Sequence, residues 1–143
     1  MELPTVENIR DVGVLVDSRL SFHDHMNSIV SRGHVPAEQI WRCFMCKDVY
    51  NLIKAFTTYV GPMLGYCSSV WSPVSPNLVN HVESVQRRFT KRLPGFRSLV
   101  YNERCARLGI ERLELRRLHA DLTMCFKIVH GLMHCSLIFF FKY

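Results

Sequence analysis

The sequence predicts a mainly α fold, a bundle of about five to six helices with one short N-terminal β-strand. Three observations carry that prediction. Apolar residues recur at three- and four-residue steps through most of the chain. A single β-branched run, 12–16, reads as a strand. With 48% hydrophobic and 21% charged residues, the 143-residue chain can bury a core and is not a disordered tail.

The strand comes first. Residues 12–16 read VGVLV, and Asp17 and Ser18 close the run with turn chemistry. A lone strand is unstable in water, so it needs a partner. The candidates are a segment upstream or the apolar run LIFFF at 137–141. Ser21 then offers an N-cap, with Asp24 in the capping-box position. Phe22, Met26, Ile29 and Val30 form the apolar face of the helix that follows. Gly33 and Pro36 predict a break or kink, because an interior proline costs roughly 3 kcal/mol. A second helical stretch over 37–46 carries Ile40, Trp41 and Phe44.

Asp48 is placed to cap a helix over 49–66, with Leu52, Ile53, Phe56, Tyr59, Val60, Met63 and Leu64 as its apolar set. Pro62 and Gly65 bend or weaken its second half. Residues 67–76 (CSSVWSPVSP) are loop-rich and form the best internal boundary. Ser75 caps the next helix, and Pro76 occupies its first turn, where proline is tolerated. Leu78, Val82, Val85 and Phe89 make one stripe on it, and Pro94-Gly95 stops it. Residues 101–108 form a short helix ended by Gly109. A last helix runs from about Arg112 to His130, with Leu115, Leu118, Leu122, Cys125 and Val129 as its expected core stripe.

The charge is concentrated. The chain carries a formal +6, and the span 82–119 holds ten Lys or Arg against four acids, which accounts for all of it. A surplus of that sign favours nucleic acid or another polyanion. Arg87, Arg88, Lys91 and Arg92 on one helix and Arg116 and Arg117 on another are the candidate phosphate contacts. Trp41 and Trp71 read as core or corner residues rather than stacking platforms.

Other chemistries find little support. The six cysteines sit mostly in apolar helical patterns and read as reduced, buried, intracellular thiols, so an intracellular location is expected. Cys43 and Cys46 make a C-x-x-C, and His130 and His134 an H-x3-H, but more than eighty residues separate the pairs, where a zinc finger has about a dozen. His23 and His25 read as solvated. No metal site and no cofactor are expected. The five aspartates, Asp11, Asp17, Asp24, Asp48 and Asp121, are scattered, so no carboxylate cluster holds two metal ions. No nucleophile motif or glycine-rich phosphate loop appears, so no catalytic residue is assigned and no small-molecule substrate is expected. The most apolar stretch, 124–141, is interrupted by Lys127, His130 and His134, so no membrane span is expected.

Read in order, the landmarks DVGVLVDSRLSFHDHM, FTTYVGPMLGYCSSVWSP, VESVQRRFTKRLPGFRSLVYNERCARLGI and LELRRLHADLTMCFKIVHGL form a specific pattern. It resembles the C-terminal part of reverse transcriptases of LINE-type non-LTR retrotransposons, of the Jockey and chicken-repeat kind, over about residues 6–132. The resemblance implies a fragment of a larger polymerase fold. Residues 1–20 correspond to a remnant of a palm strand, 21–74 to thumb-like helices and 75–132 to basic post-thumb helices. Residues 133–143 do not resemble the family. The implied partner is RNA or an RNA/DNA duplex, gripped through its backbone. The family copies RNA with Mg, but its aromatic-Ala-Asp-Asp signature is absent from this chain, so the expectation is a non-catalytic segment. The chain departs from the family at Gly61 and Gly65, at Val100 where a capping Ser is usual, and at His119 where Arg is common. The alternative expectation is a helical interaction fragment that self-associates through an exposed apolar strand and tail.

Overall fold

The computed structural model describes residues 7–132 of the chain. It is mainly α. β1 (Asn8–Asp11) and β2 (Val14–Asp17) precede α1 (His23–Cys43), α2 (Val49–Tyr59), α3 (Gly61–Gly65), α4 (Ser68–Trp71), α5 (Pro76–Lys91), α6 (Tyr101–Leu108) and α7 (Leu113–Val129). α3 and α4 are single turns; the other five helices are eight residues or longer.

The strands form an antiparallel hairpin, with Ile9 opposite Val16 and Asp11 opposite Val14. The partner strand therefore lies immediately upstream; the run at 137–141 falls outside the described residues. The expected strand 12–16 is also shifted. Val12 and Gly13 form the turn, with φ of 43° and 86°. Two successive positive φ values match the twist of a two-residue hairpin. The hairpin overrides the β-preference of Val12, which is what made it read as strand.

Ser21 does not cap α1. The Asp17 carboxylate organises this entry instead. It accepts the backbone N–H groups of Arg19 and Ser21, both at 2.9 Å, that of Phe22 at 3.1 Å, and the Ser21 hydroxyl at 2.5 Å. The Ser21 bonds hold the Asp17 carboxyl below its usual pKa. Asp24 accepts the Asn8 side-chain amide at 3.0 Å, tying hairpin to helix. His25 is not solvated. It is 3% exposed, and its Nδ1 accepts the Leu15 N–H at 3.2 Å.

The expected break at Gly33 and Pro36 is absent, because α1 runs unbroken for 21 residues. Pro36 lacks the N–H that would reach the Arg32 carbonyl, but Arg32 lies on the solvent side of the helix. Gly33 is a contact, not a breaker. A Cβ there would meet Leu64 Cδ2 at 3.0 Å and Val85 Cγ1 at 3.5 Å. Its missing side chain lets α1, α3 and α5 close on one another.

Asp48 caps α2 as expected, accepting the Asn51 N–H at 3.1 Å. The regular helix is interrupted at Val60, just before Pro62, and α3 resumes at Gly61. The core centres on α1 packed against α5. Met26, Leu52, Phe56, Leu64, Trp71, Val82, Val85 and Phe89 are its buried anchors, and Phe56 stacks on Phe89 with centroids 4.4 Å apart. Trp71 is a core residue, its indole N–H donating to the Tyr66 carbonyl at 2.7 Å. The core is continuous from Val14 to Leu113.

α7 departs most from expectation. Leu115, Leu118, Leu122, Cys125 and Val129 are exposed, while Leu113 and Arg117 are buried. Periodicity shows that a helix has an apolar face, but not which face its neighbours cover. The five cysteines among the described residues are free, yet of these only Cys105 is buried; Cys67 is half-buried, Cys43, Cys46 and Cys125 are exposed, and Cys135 lies outside the described residues.

Candidate nucleic-acid interface

The interface begins with how α5 sits. Val82, Val85 and Phe89 point into the core, so Arg88, Lys91 and Arg92 are left outside at its last turn. Cations at a helix C-terminus also complement the helix dipole. Across from them, Glu38 of α1 receives Arg92 Nη1 at 2.6 Å and Arg88 Nη2 at 3.7 Å. The Arg92 hydrogen bond, helped by the charges of Arg92, Arg88 and Arg42, holds the Glu38 carboxyl below its usual pKa. These pairs face solvent, so each contributes about 0.2–1 kcal/mol at most.

The sequence reading missed half of this patch. Arg42 and Lys47, at the end of α1 and just beyond it, lie on the same side. Lys47 donates to the Trp41 carbonyl and, at 2.6 Å, to the Phe44 carbonyl, capping the helix end. Its ammonium stands 5.5 Å from the Trp41 ring centre, and the Arg92 guanidinium 5.0 Å. Trp41 is half-buried and leans on Phe89. Lys47 and Arg92 thus flank one indole, while Arg88 and Arg42 add positive charge around Glu38. A sequence count could not find this, because residues 42 and 47 lie far from 88 and 92 along the chain.

The other expected contacts separate from the patch. Arg87 lies over the Tyr101 ring, 4.9 Å from its centre, with Nη2 donating to Asn80 at 3.3 Å. Arg116 is exposed but on another side, where its Nη1 would stand 3.2 Å from a Cβ on Gly61. Arg117 is 3% exposed and inside the fold. Consecutive helical residues point about 100° apart, so Arg116 and Arg117 meet different surroundings, one exposed and one buried. The Arg117 guanidinium is 6.0 Å from the Trp71 ring centre, and burial pulls its pKa down against the favourable charges of Glu83, Glu114 and Asp121.

Glu83 explains that placement. It is 0% exposed; Tyr101 donates to its Oε2 at 2.5 Å, and the Glu114 N–H donates to its Oε1 at 2.8 Å. It caps α7 from a different helix, and its charge favours the buried Arg117, whose Nη1 and Nη2 have no hydrogen-bond partner among the described residues. Burial, then the bond to Glu83, pushes the Tyr101 phenol far above its usual pKa. Gln86 completes the seam, its amide donating to the Glu111 carbonyl at 2.9 Å. Glu83, Gln86 and Thr90 step by three and four beside the apolar stripe, which is the signal that could have marked a second buried face.

Among the described residues, no group of three or more His, Cys, Asp or Glu could hold a metal ion. Cys43 and Cys46 are exposed, and His134 lies outside the described residues. Among the described residues, no helix is long and apolar enough to cross a membrane.

No protein-family model matches the chain, and no solved structure matches it. The chain is similar to an uncharacterized protein of Caenorhabditis elegans, 24% identical over 129 residues that make up 88% of this chain and 65% of that protein. The chain thus spans just under two thirds of that relative's length.

Proposed function

We propose that this chain is the thumb and post-thumb segment of a LINE-type non-LTR reverse transcriptase, and that it holds RNA or an RNA/DNA duplex by its backbone. The ordered sequence motifs support the family. The observation that carries the binding is Lys47 and Arg92 against the Trp41 ring, with Arg88 and Arg42 near Glu38 and Lys91 exposed on the last turn of α5. Guanidinium and ammonium groups on rigid helices read phosphates, not bases, so the binding is sequence-blind. Arg116 extends the positive surface from another side, and Arg87 and Arg117 stabilise the fold.

No copying is assigned to this chain. Three of its aspartates have local work: Asp17 orders the entry to α1, Asp24 holds Asn8, and Asp48 caps α2. Fluorescence anisotropy with a labelled RNA/DNA hybrid tests the binding. Arg88→Gln/Arg92→Gln should weaken it several-fold for any sequence, and Arg87→Gln should weaken it little while lowering stability. Primer extension by the purified chain would overturn the non-catalytic assignment.

A second reading, self-association, is favoured by α7. Leu115, Leu118, Leu122, Cys125 and Val129 are exposed and follow alternating three- and four-residue steps, the spacing of a seam between like helices. A second copy of the chain is the fitting occupant. Light scattering should report a dimer that Leu118→Glu/Leu122→Glu converts to a monomer.

A further inference from the structure

Away from the basic patch, a cavity of about 410 Å³ opens between the hairpin turn, α1 and α3. That volume is in the range of sites for small organic ligands, about 300–1,000 Å³. Its walls are mainly apolar, with Ile29, Met63 and Tyr66 contributing. Arg10 of β1 and Arg32 of α1 stand exposed in its lining. Among the described residues, neither has an acid within ion-pair distance. Arg32 lies ten residues before Arg42, about 15 Å along the helix, so this is not the patch around Trp41.

Two further features mark the cavity as built. His25 lines it and is almost fully buried. Because its Nδ1 accepts the Leu15 N–H, the imidazole is neutral with its proton on Nε2, and Nε2 has no partner among the described residues. A buried donor left unpaired costs about 1–3 kcal/mol. The hairpin turn beside it is strained. Val12 is β-branched yet has φ of 43°, a conformation that costs about 1–2 kcal/mol for an L-residue. Tyr66 pins that turn, its hydroxyl donating to the Val12 carbonyl at 3.1 Å. Backbone strain held in place at the mouth of a cavity is the usual companion of a binding site.

We propose that this cavity binds a small organic anion with an apolar body, an aromatic or branched aliphatic carboxylate. The carboxylate sits between Arg10 and Arg32, and the body packs against Ile29, Met63 and Tyr66. The lining holds no Ser, Thr, Cys, Asp or Glu, and the role assigned to it is binding alone.

The test is a titration of the full chain with 2-naphthoate, followed by amide and imidazole NMR signals. The neutral 2-naphthalenemethanol and inorganic phosphate are the controls. The expected result is saturable shifts at Gly13, His25 and Arg32, with the alcohol at least tenfold weaker and phosphate unable to compete at equal concentration. Arg10→Gln/Arg32→Gln should bring the acid down to the level of the alcohol. Met63→Trp, which fills the cavity, should remove binding of both. Equal affinity for acid and alcohol would overturn the proposal, as would competition by phosphate, or shifts confined to Leu118 and Leu122 on α7.

Discussion

Replacing Glu83 with alanine probes the least expected feature of the fold. The carboxylate is fully buried on a helix whose other charges are nearly all positive, and it carries three duties at once. It accepts the Tyr101 hydroxyl at 2.5 Å and the Glu114 N–H at 2.8 Å, and it faces the buried Arg117 guanidinium. Leaving the Tyr101 hydroxyl and the Glu114 N–H without an acceptor costs about 1–3 kcal/mol each, and the buried Arg117 loses a favourable charge, so the total is about 3–5 kcal/mol. A domain of this size is stable by about 5–15 kcal/mol, so Glu83→Ala should remove roughly a fifth or more of it. In urea unfolding followed by far-UV circular dichroism, a slope of about 2 kcal/mol/M turns that loss into a midpoint about 1.5–2.5 M lower. The partner variant decides the mechanism. Glu83→Leu/Arg117→Met replaces the pair by apolar side chains and should recover at least half of the loss. A Glu83→Ala cost under about 1 kcal/mol, or a double variant no better than the single one, would refute these roles of Glu83.

Two glycines should respond in opposite directions. Gly33→Ala should destabilise by about 1 kcal/mol despite the better helix propensity of alanine, because Leu64 is fully buried and must move. Gly65→Ala meets nothing within 4 Å and should be neutral or stabilising by up to about 1 kcal/mol in the same urea assay. Val100 is the N-cap residue of α6 and makes no side-chain cap bond, so Val100→Ser should stabilise by about 0.5–1 kcal/mol, read as a thermal midpoint a few degrees higher. Burial, then the charges of Arg32 and Arg10, lowers the His25 pKa. The unfolded chain therefore binds the extra proton first, and stability should fall as pH drops through about 6.5. Denaturation at pH 7.5 and pH 5.5 checks the direction, and His25→Gln should reduce the difference.

What could be read from the sequence was what depends on local spacing. The stripe Val82, Val85 and Phe89, the Asp48 cap and the Gly109 stop are all short-range patterns, and all are present. What could not be read depends on which elements meet. Gly33 looked like a breaker because its role, admitting Leu64 and Val85, involves residues more than thirty positions away. Val12 looked like strand because its turn conformation is imposed by the hairpin and held by Tyr66. The candidate interface was half legible. Arg88, Lys91 and Arg92 follow from the helical wheel of α5, but Arg42 and Lys47 join them only through the packing of α1 on α5. Arg117 misled for the same reason in reverse, since its charge compensates Glu83 inside the fold.

The salt dependence of RNA/DNA hybrid binding tests the central claim most directly. Each phosphate neutralised adds about 0.7–0.9 to the slope of log affinity against log salt. Wild-type chain should bind any hybrid sequence at low salt with a slope of about −3.5 to −4.5, set by Arg42, Lys47, Arg88, Lys91 and Arg92. Arg88→Gln/Lys91→Gln/Arg92→Gln should flatten that slope by about two units while lowering the thermal midpoint by only a few degrees. No binding at low salt would contradict the account, as would a slope that this triple substitution leaves unchanged.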